Sequence, residues 1–144
     1  MSMRQWIGAG DGPRAVILVR VLVGSVFLSG GVQKFLFPAA LGVGRFTKIG
    51  LPSPDVLALA VGSFEVVCGA LVIVGLATRL AAIPLLTIIS VATWTTKLPM
   101  LPTQGFWAMA HEARTDWCMW LGARVLILVG PGLWSIDVVR SGRR

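Results

Sequence analysis

A chain of 144 residues that is 56% hydrophobic, with a mean hydropathy of +0.82 and 13% charged residues, is composed for a lipid environment. A soluble domain carries about 25% charged residues. The formal net charge of +7 does not point to nucleic acid, because the thirteen Lys and Arg are dispersed and no basic run is interleaved with aromatics.

The length accommodates one domain, 1–144. The two cysteines, Cys68 and Cys118, do not form a CxxC pair, which argues against a membrane thiol oxidoreductase. The single histidine, His111, cannot supply bis-His haem ligation or a Cys-His zinc cluster. No covalently bound cofactor or metal is expected.

Residues 1–13 are polar, with Arg4, Trp6 and Asp11 near water and Arg14 following. The first apolar run is 15–37. Its basic start resembles a signal peptide, but the run is long, Arg20 interrupts it and further spans follow, so it reads as a retained helix. Residues 38–54, PAALGVGRFTKIGLPSP, are bounded by prolines. Leu41, Phe46 and Ile49 can lie along a membrane surface with Arg45 and Lys48 facing water, as in a short interfacial helix.

The second span is 55–77, an apolar run with Glu65 near its centre. A tight turn around Thr78 and Arg79 leads into a third span, about 80–98, which Pro84 should bend. Its later half is polar, with Thr87, Ser90, Thr93, Thr95, Thr96 and Lys97. Residues 99–116 read as the longest connection, with Phe106, Trp107, Ala110 and Trp117 as a lipid-facing stripe. The last span is 117–136, and Gly130-Pro131-Gly132 should break or kink it near its end. Residues 138–144 form a basic tail.

The expected fold is therefore all-α, a four-helix transmembrane bundle with short interfacial helices in the two loops on one side. Four spans place both termini together. Arg4, Arg14, Arg79, Arg140, Arg143 and Arg144 share their side, against Lys34, Arg45, Lys48, Lys97 and Arg114 on the other. That distribution favours an inner-membrane protein with cytoplasmic termini.

Two stripes stand out. Arg20, Gly24, Phe27, Gly31 and Lys34 share one face of the first span, and Ala58, Gly62, Glu65, Gly69 and Val72 share one face of the second. The simplest account is that they face each other, the small residues letting the backbones approach. Glu65 lies about 15 Å below the loop-side surface and Arg124 about 12 Å below it, at about 1.5 Å per residue. Arg124 is thus the first choice of partner for Glu65, with Arg20 or Lys34 able to reach by extension. Two readings follow: a structural ion pair, or a polar pocket of Arg20, Lys34, Glu65 and Arg124. The surplus of cations can receive an anionic head group, a semiquinone-like oxygen or an acidic residue of a partner subunit.

By the same count Cys118 is near the loop-side surface and Cys68 about 20 Å below it, so no disulfide is expected. His111, Glu112, Arg114 and Asp116 form a second cluster. It is not HExxH. Arg114 is expected to pair with Glu112 or Asp116, and Asp116 to cap the last helix. The alternative is that the cluster forms the mouth of a pocket.

The motifs Arg20-xxx-Gly24-xx-Phe27-xxx-Gly31-xx-Lys34, Gly50-Leu51-Pro52, Glu65-xxx-Gly69, Ala77-Thr78-Arg79-Leu80-Ala81-Ala82 and Gly130-Pro131-Gly132-x-x-Ser135-Ile136-Asp137 resemble the DoxX family of small four-helix membrane proteins. The resemblance spans about Arg20 to Asp137. It implies a four-helix membrane bundle and, more loosely, a role like that of the small membrane subunit of thiosulfate:quinone oxidoreductase or of membrane accessory proteins in redox homeostasis. It carries no catalytic residues.

The expected function is an accessory or anchoring subunit of redox or respiratory metabolism, not catalytic alone, with quinone as the cofactor its pocket would share. The alternative is a non-catalytic scaffold or assembly factor. Either would meet the lipid bilayer and other membrane subunits or further copies of itself.

Overall fold

Residues 16–36 contain no proline and are mostly apolar, so helix propagates through them without a break. In a computed structural model of the chain, which describes residues 12–140, they form α1, Val16–Leu36. A short helix, α2 (Val43–Lys48), follows where the interfacial segment is expected. Helix α3 (Pro54–Val74) starts with a proline at its first position, where the missing N–H costs nothing, and has Asp55 in its first turn. It ends at Gly75, whose φ of 73° and N–H bond to the Leu71 carbonyl make a left-handed C-terminal cap.

Helix α4 (Thr78–Ala92) begins at once, after Ala77 in the left-handed conformation (φ 48°). It runs through Pro84, widens to a π-helical turn over Thr93–Lys97 and narrows to a 3₁₀ turn over Leu98–Met100. The short α5 (Leu101–Gln104) completes this run. Gly105 separates it from α6 (Phe106–Val129), and Gly130 (φ 90°), the first residue of the Gly-Pro-Gly motif, stops α6. Helix α7 (Ile136–Arg140) closes the described chain. The polar residues Arg4, Trp6 and Asp11 and the tail arginines Arg143 and Arg144 lie outside the described residues.

No strand occurs among the described residues. Three helical runs, Val16–Leu36, Pro54–Val74 and Thr78–Gln104, are long and apolar enough to cross a membrane. The hydroxyls of the third run donate to the carbonyls one turn back: Thr87 to Ile83, Ser90 to Leu86, Thr93 to Ile89, Thr95 to Val91 and Thr96 to Ala92. A polar stretch thus satisfies itself without water.

The largest departure from the sequence reading concerns α6. It begins at Phe106, not at 117, and ends at Val129, not at 136. Most of the expected connection is helical. Asp116 lies inside α6, so it does not cap the helix; Gly105 holds the N-cap position, and no side chain caps it. Gly105 (φ 84°) places the break in a conformation that favours glycine.

Helix α1 packs most extensively on α3, and α6 packs on α4 and α1. The two glycine stripes meet as expected. A Cβ on Gly24 would lie 2.7 Å from the Gly69 carbonyl oxygen, and one on Gly31 2.8 Å from that of Gly62. A Cβ on Gly69 would stand 2.8 Å from the Leu28 backbone nitrogen. Backbone cannot yield as a flexible side chain can, so Gly69→Ala should force α1 and α3 apart. The expected cost is roughly 1–3 kcal/mol, read as a lowered thermal midpoint in detergent. An unchanged midpoint would show that the helices are not held this closely.

Candidate functional site

The signature residues converge at two places, one at each end of the α1–α3 pair. The first is a hydrogen-bonded knot where α1 begins and α3 ends. Arg20 is 2% exposed. Its Nε donates to the Val72 carbonyl at 2.9 Å and its Nη2 to the Ile73 carbonyl at 2.6 Å. Its Nη1 donates to the carbonyls of Pro131 (3.1 Å) and Trp134 (2.5 Å). The last carbonyls of a helix have no partner within it and carry partial negative charge, so a guanidinium fork suits them. Gly75 admits this fork: a Cβ there would lie 2.6 Å from the guanidinium carbon.

Asp137 completes the knot from the far end of the sequence. Its carboxylate accepts from the N–H groups of Ala77 (3.0 Å) and Thr78 (3.3 Å), at the start of α4. This is an N-terminal cap supplied from a distance. Arg79 Nη2 donates to the Leu128 and Val129 carbonyls at the end of α6. The Ser135-Ile136-Asp137 motif marked this place in sequence but not the contacts it makes.

The second place is a half-open cavity of about 510 Å³ between α1, α2, α3 and α4. Leu41, Phe46, Ile49, Leu57, Val61 and Ile88 give it apolar walls. Its polar groups are Lys34 and Glu65, with Gln33, Arg45, Thr87, Thr95 and Thr96. Lys34 Nζ and Glu65 Oε2 form an ion pair at 2.5 Å, with side chains 17% and 7% exposed. Thr95 and Thr96 reach the cavity from the π-helical turn, a distortion that re-aims side chains and recurs at functional sites. The size and the few convergent polar groups are those of a small-molecule site.

The expected four-residue pocket is therefore divided. Only Lys34 and Glu65 meet. Arg20 belongs to the knot. Arg124 is not the partner of Glu65: it is exposed on α6, outside the buried stripe of Ala113, Met119, Ala123 and Leu126. Its guanidinium carbon stands 3.6 Å from the centre of the Trp120 ring instead. With α6 running Phe106–Val129, Arg124 is five residues from its end, whereas Glu65 is nine residues from the end of α3, and the two side chains face different ways.

The second cluster is likewise rearranged. Arg114 Nη1 donates to the His111 ring at 2.8 Å, rather than to Glu112 or Asp116. Glu112 pairs with Lys97 at 3.5 Å, and Asp116 accepts from Thr93 at 3.4 Å. His111, Glu112 and Arg114 are exposed, whereas Asp116 lines a smaller cavity of about 230 Å³ between α4 and α6. Among the described residues no three of His, Cys, Asp and Glu gather as a metal site. Cys68 is buried and Cys118 exposed, and both are free thiols.

Residues 15–98 match the family model of DoxX. The chain is also similar to Rv3486 of Mycobacterium tuberculosis (strain ATCC 25618 / H37Rv), described as an uncharacterized membrane protein. The two are 50% identical over 133 residues, which cover 88% of this chain and 82% of the other. No solved structure matches. The model match covers the stretch that holds Arg20, Lys34 and Glu65, and the relative extends the similarity along most of the chain: this is a membrane protein of the DoxX family.

Proposed function

We propose that this protein is an accessory subunit of redox or respiratory metabolism that holds a quinone head group in the cavity between α1, α2, α3 and α4. The observation that carries the reading is the Lys34–Glu65 pair on the wall of an otherwise largely apolar cavity of about 510 Å³. A quinone has a polar ring and an apolar tail, and this donor set fits it. When bound, it supplies two-electron, two-proton redox chemistry. Lys34 is placed to donate to a carbonyl oxygen, Glu65 to hold or pass a proton, and Arg45 adds a cation to the cavity lining. The apolar walls would exclude water and receive the tail.

In this reading α6 is a fourth membrane span. Its charged residues Glu112, Arg114 and Asp116 lie toward the loop side, and the chain is one domain with cytoplasmic termini in the inner membrane. The surplus of cations in the cavity also suits an anionic lipid head group, so both ligands are tested.

Titration of the purified protein with ubiquinone, menaquinone and an anionic phospholipid, followed by thermal shift, distinguishes them. Quinone at about 100 times its Kd should stabilise the wild type by about 2.7 kcal/mol. Lys34→Met should abolish that stabilisation and Glu65→Gln should reduce it. If neither quinone stabilises the wild type, the quinone reading fails, and stabilisation by the phospholipid alone reassigns the cavity.

A scaffold or assembly role is favoured by a different observation. Arg20, Ser135 and Asp137, all residues of the quoted motifs, serve the knot and not the cavity. A stoichiometric membrane partner recovered in mild detergent, with no quinone response in the isolated chain, would select that role.

A further inference from the structure

Helix α6 presents an apolar outer stripe that holds one charge. Trp117, Leu121 and Leu128 are 52%, 55% and 77% exposed, and Arg124 is exposed among them. These four recur at spacings of four, three and four, the repeat of a helix–helix seam. Among the described residues no carboxylate pairs with Arg124. Its guanidinium lies over the Trp120 ring, which is itself fixed by a hydrogen bond from Nε1 to Ser90 Oγ at 3.1 Å. The exposed guanidinium thus rests on an anchored platform.

The direction of the side chain matters. Arg124 lies about 8 Å along the axis from Val129, the nearer end of α6, at about 1.5 Å per residue. An arginine reaching for lipid phosphate extends toward the nearer surface. Arg124 instead runs back to Trp120, toward the middle of the helix, as side chains tilt toward a helix N-terminus. A charge exposed to hydrocarbon is costly and pairs with an opposite charge where it can. A second copy does not supply one, because a two-fold axis along this seam would set Arg124 against its own equivalent.

We propose that the outer face of α6, centred on Arg124 and Trp120, docks a transmembrane helix of a second protein that carries a carboxylate at that depth. This rests on the reading of α6 as a membrane span. Trp117, Leu121 and Leu128 supply the apolar packing along the seam, and the ion pair sets depth and choice of partner.

The test uses the full chain in zwitterionic bilayers and a defined probe: a poly-leucine transmembrane peptide with one central glutamate, beside its glutamine twin. Association is read by fluorescence energy transfer. The wild type should bind the glutamate peptide at least about tenfold more tightly than the glutamine peptide, a modest part of the range measured for close charge pairs. Arg124→Leu should remove the preference, and Arg124→Lys should retain part of it. Equal binding of the two peptides, or a preference unchanged in Arg124→Leu, overturns the proposal. So does Arg124-dependent enrichment of anionic lipid without peptide preference, or Arg124-dependent association of labelled copies.

Cysteines at Leu121→Cys and Leu128→Cys, in a Cys118→Ser chain, report on the span itself. Shielding of both from a membrane-impermeant maleimide leaves the peptide result to decide. Full labelling of both places α6 in water and overturns the span and the docking face together.

Discussion

Arg20→Met should cost roughly 3–5 kcal/mol, because it takes the guanidinium from the Ile73, Pro131 and Trp134 carbonyls at about 1–3 kcal/mol each, while the Val72 carbonyl keeps the Gly75 N–H. The side chain serves Val72, Ile73, Pro131 and Trp134 at once, from a position 2% exposed. Two of those carbonyls end α3, and two belong to the turn after α6. Their loss would therefore release both segments together. The thermal midpoint in detergent should fall by roughly 10–20 °C. Arg20→Lys should recover less than half of that loss, because an ammonium concentrates its donors at one point and cannot span the four acceptors. A midpoint for Arg20→Met close to that of the wild type would mean that the knot does not hold these ends.

Lys34→Met should destabilise the protein by roughly 2–4 kcal/mol, and Glu65→Leu by a similar or smaller amount, while the double variant should return to within about 1 kcal/mol of the wild type. Removing one partner leaves the other charge in an apolar wall. Removing both replaces a desolvated pair with packing. The coupling in this double-mutant cycle should be at least about 2 kcal/mol. The cycle also separates structure from ligand binding. A stable Lys34→Met/Glu65→Leu protein that has lost its quinone response would assign the pair to the cavity's ligand. Additive single effects would show that the pair is not coupled. A double variant that keeps the full quinone response would place the ligand elsewhere.

Much of this arrangement was written in the order of residues. Gly24 and Gly31 on one run, and Gly62 and Gly69 on the other, marked the faces that meet, because only small residues let backbones come so close. Gly130-Pro131-Gly132 marked the end of α6. The motifs between Arg20 and Asp137 resemble the family whose model residues 15–98 match. The start of α6 was obscured because Pro99, Pro102 and the charged group from His111 to Asp116 read as a loop. Helix needs only a break at Gly105 to restart, and Lys97, Thr93 and Arg114 meet the polar groups along it.

Sequence alone determined that the chain is helical and membrane-borne, and which faces of α1 and α3 carry small residues. Depth follows from a fixed rise per residue. It does not say which way a side chain faces. In a soluble helix a polar face gives that direction. In lipid both the core and the surroundings are apolar, so Arg124 can be placed in an apolar run and still point away from Glu65. Tertiary packing decided that Lys34 meets Glu65, that Arg124 faces outward over Trp120, and that Arg20 gathers carbonyls from Val72 and Pro131. Those partners are distant in the chain, and only the folded helices bring them within reach of one guanidinium.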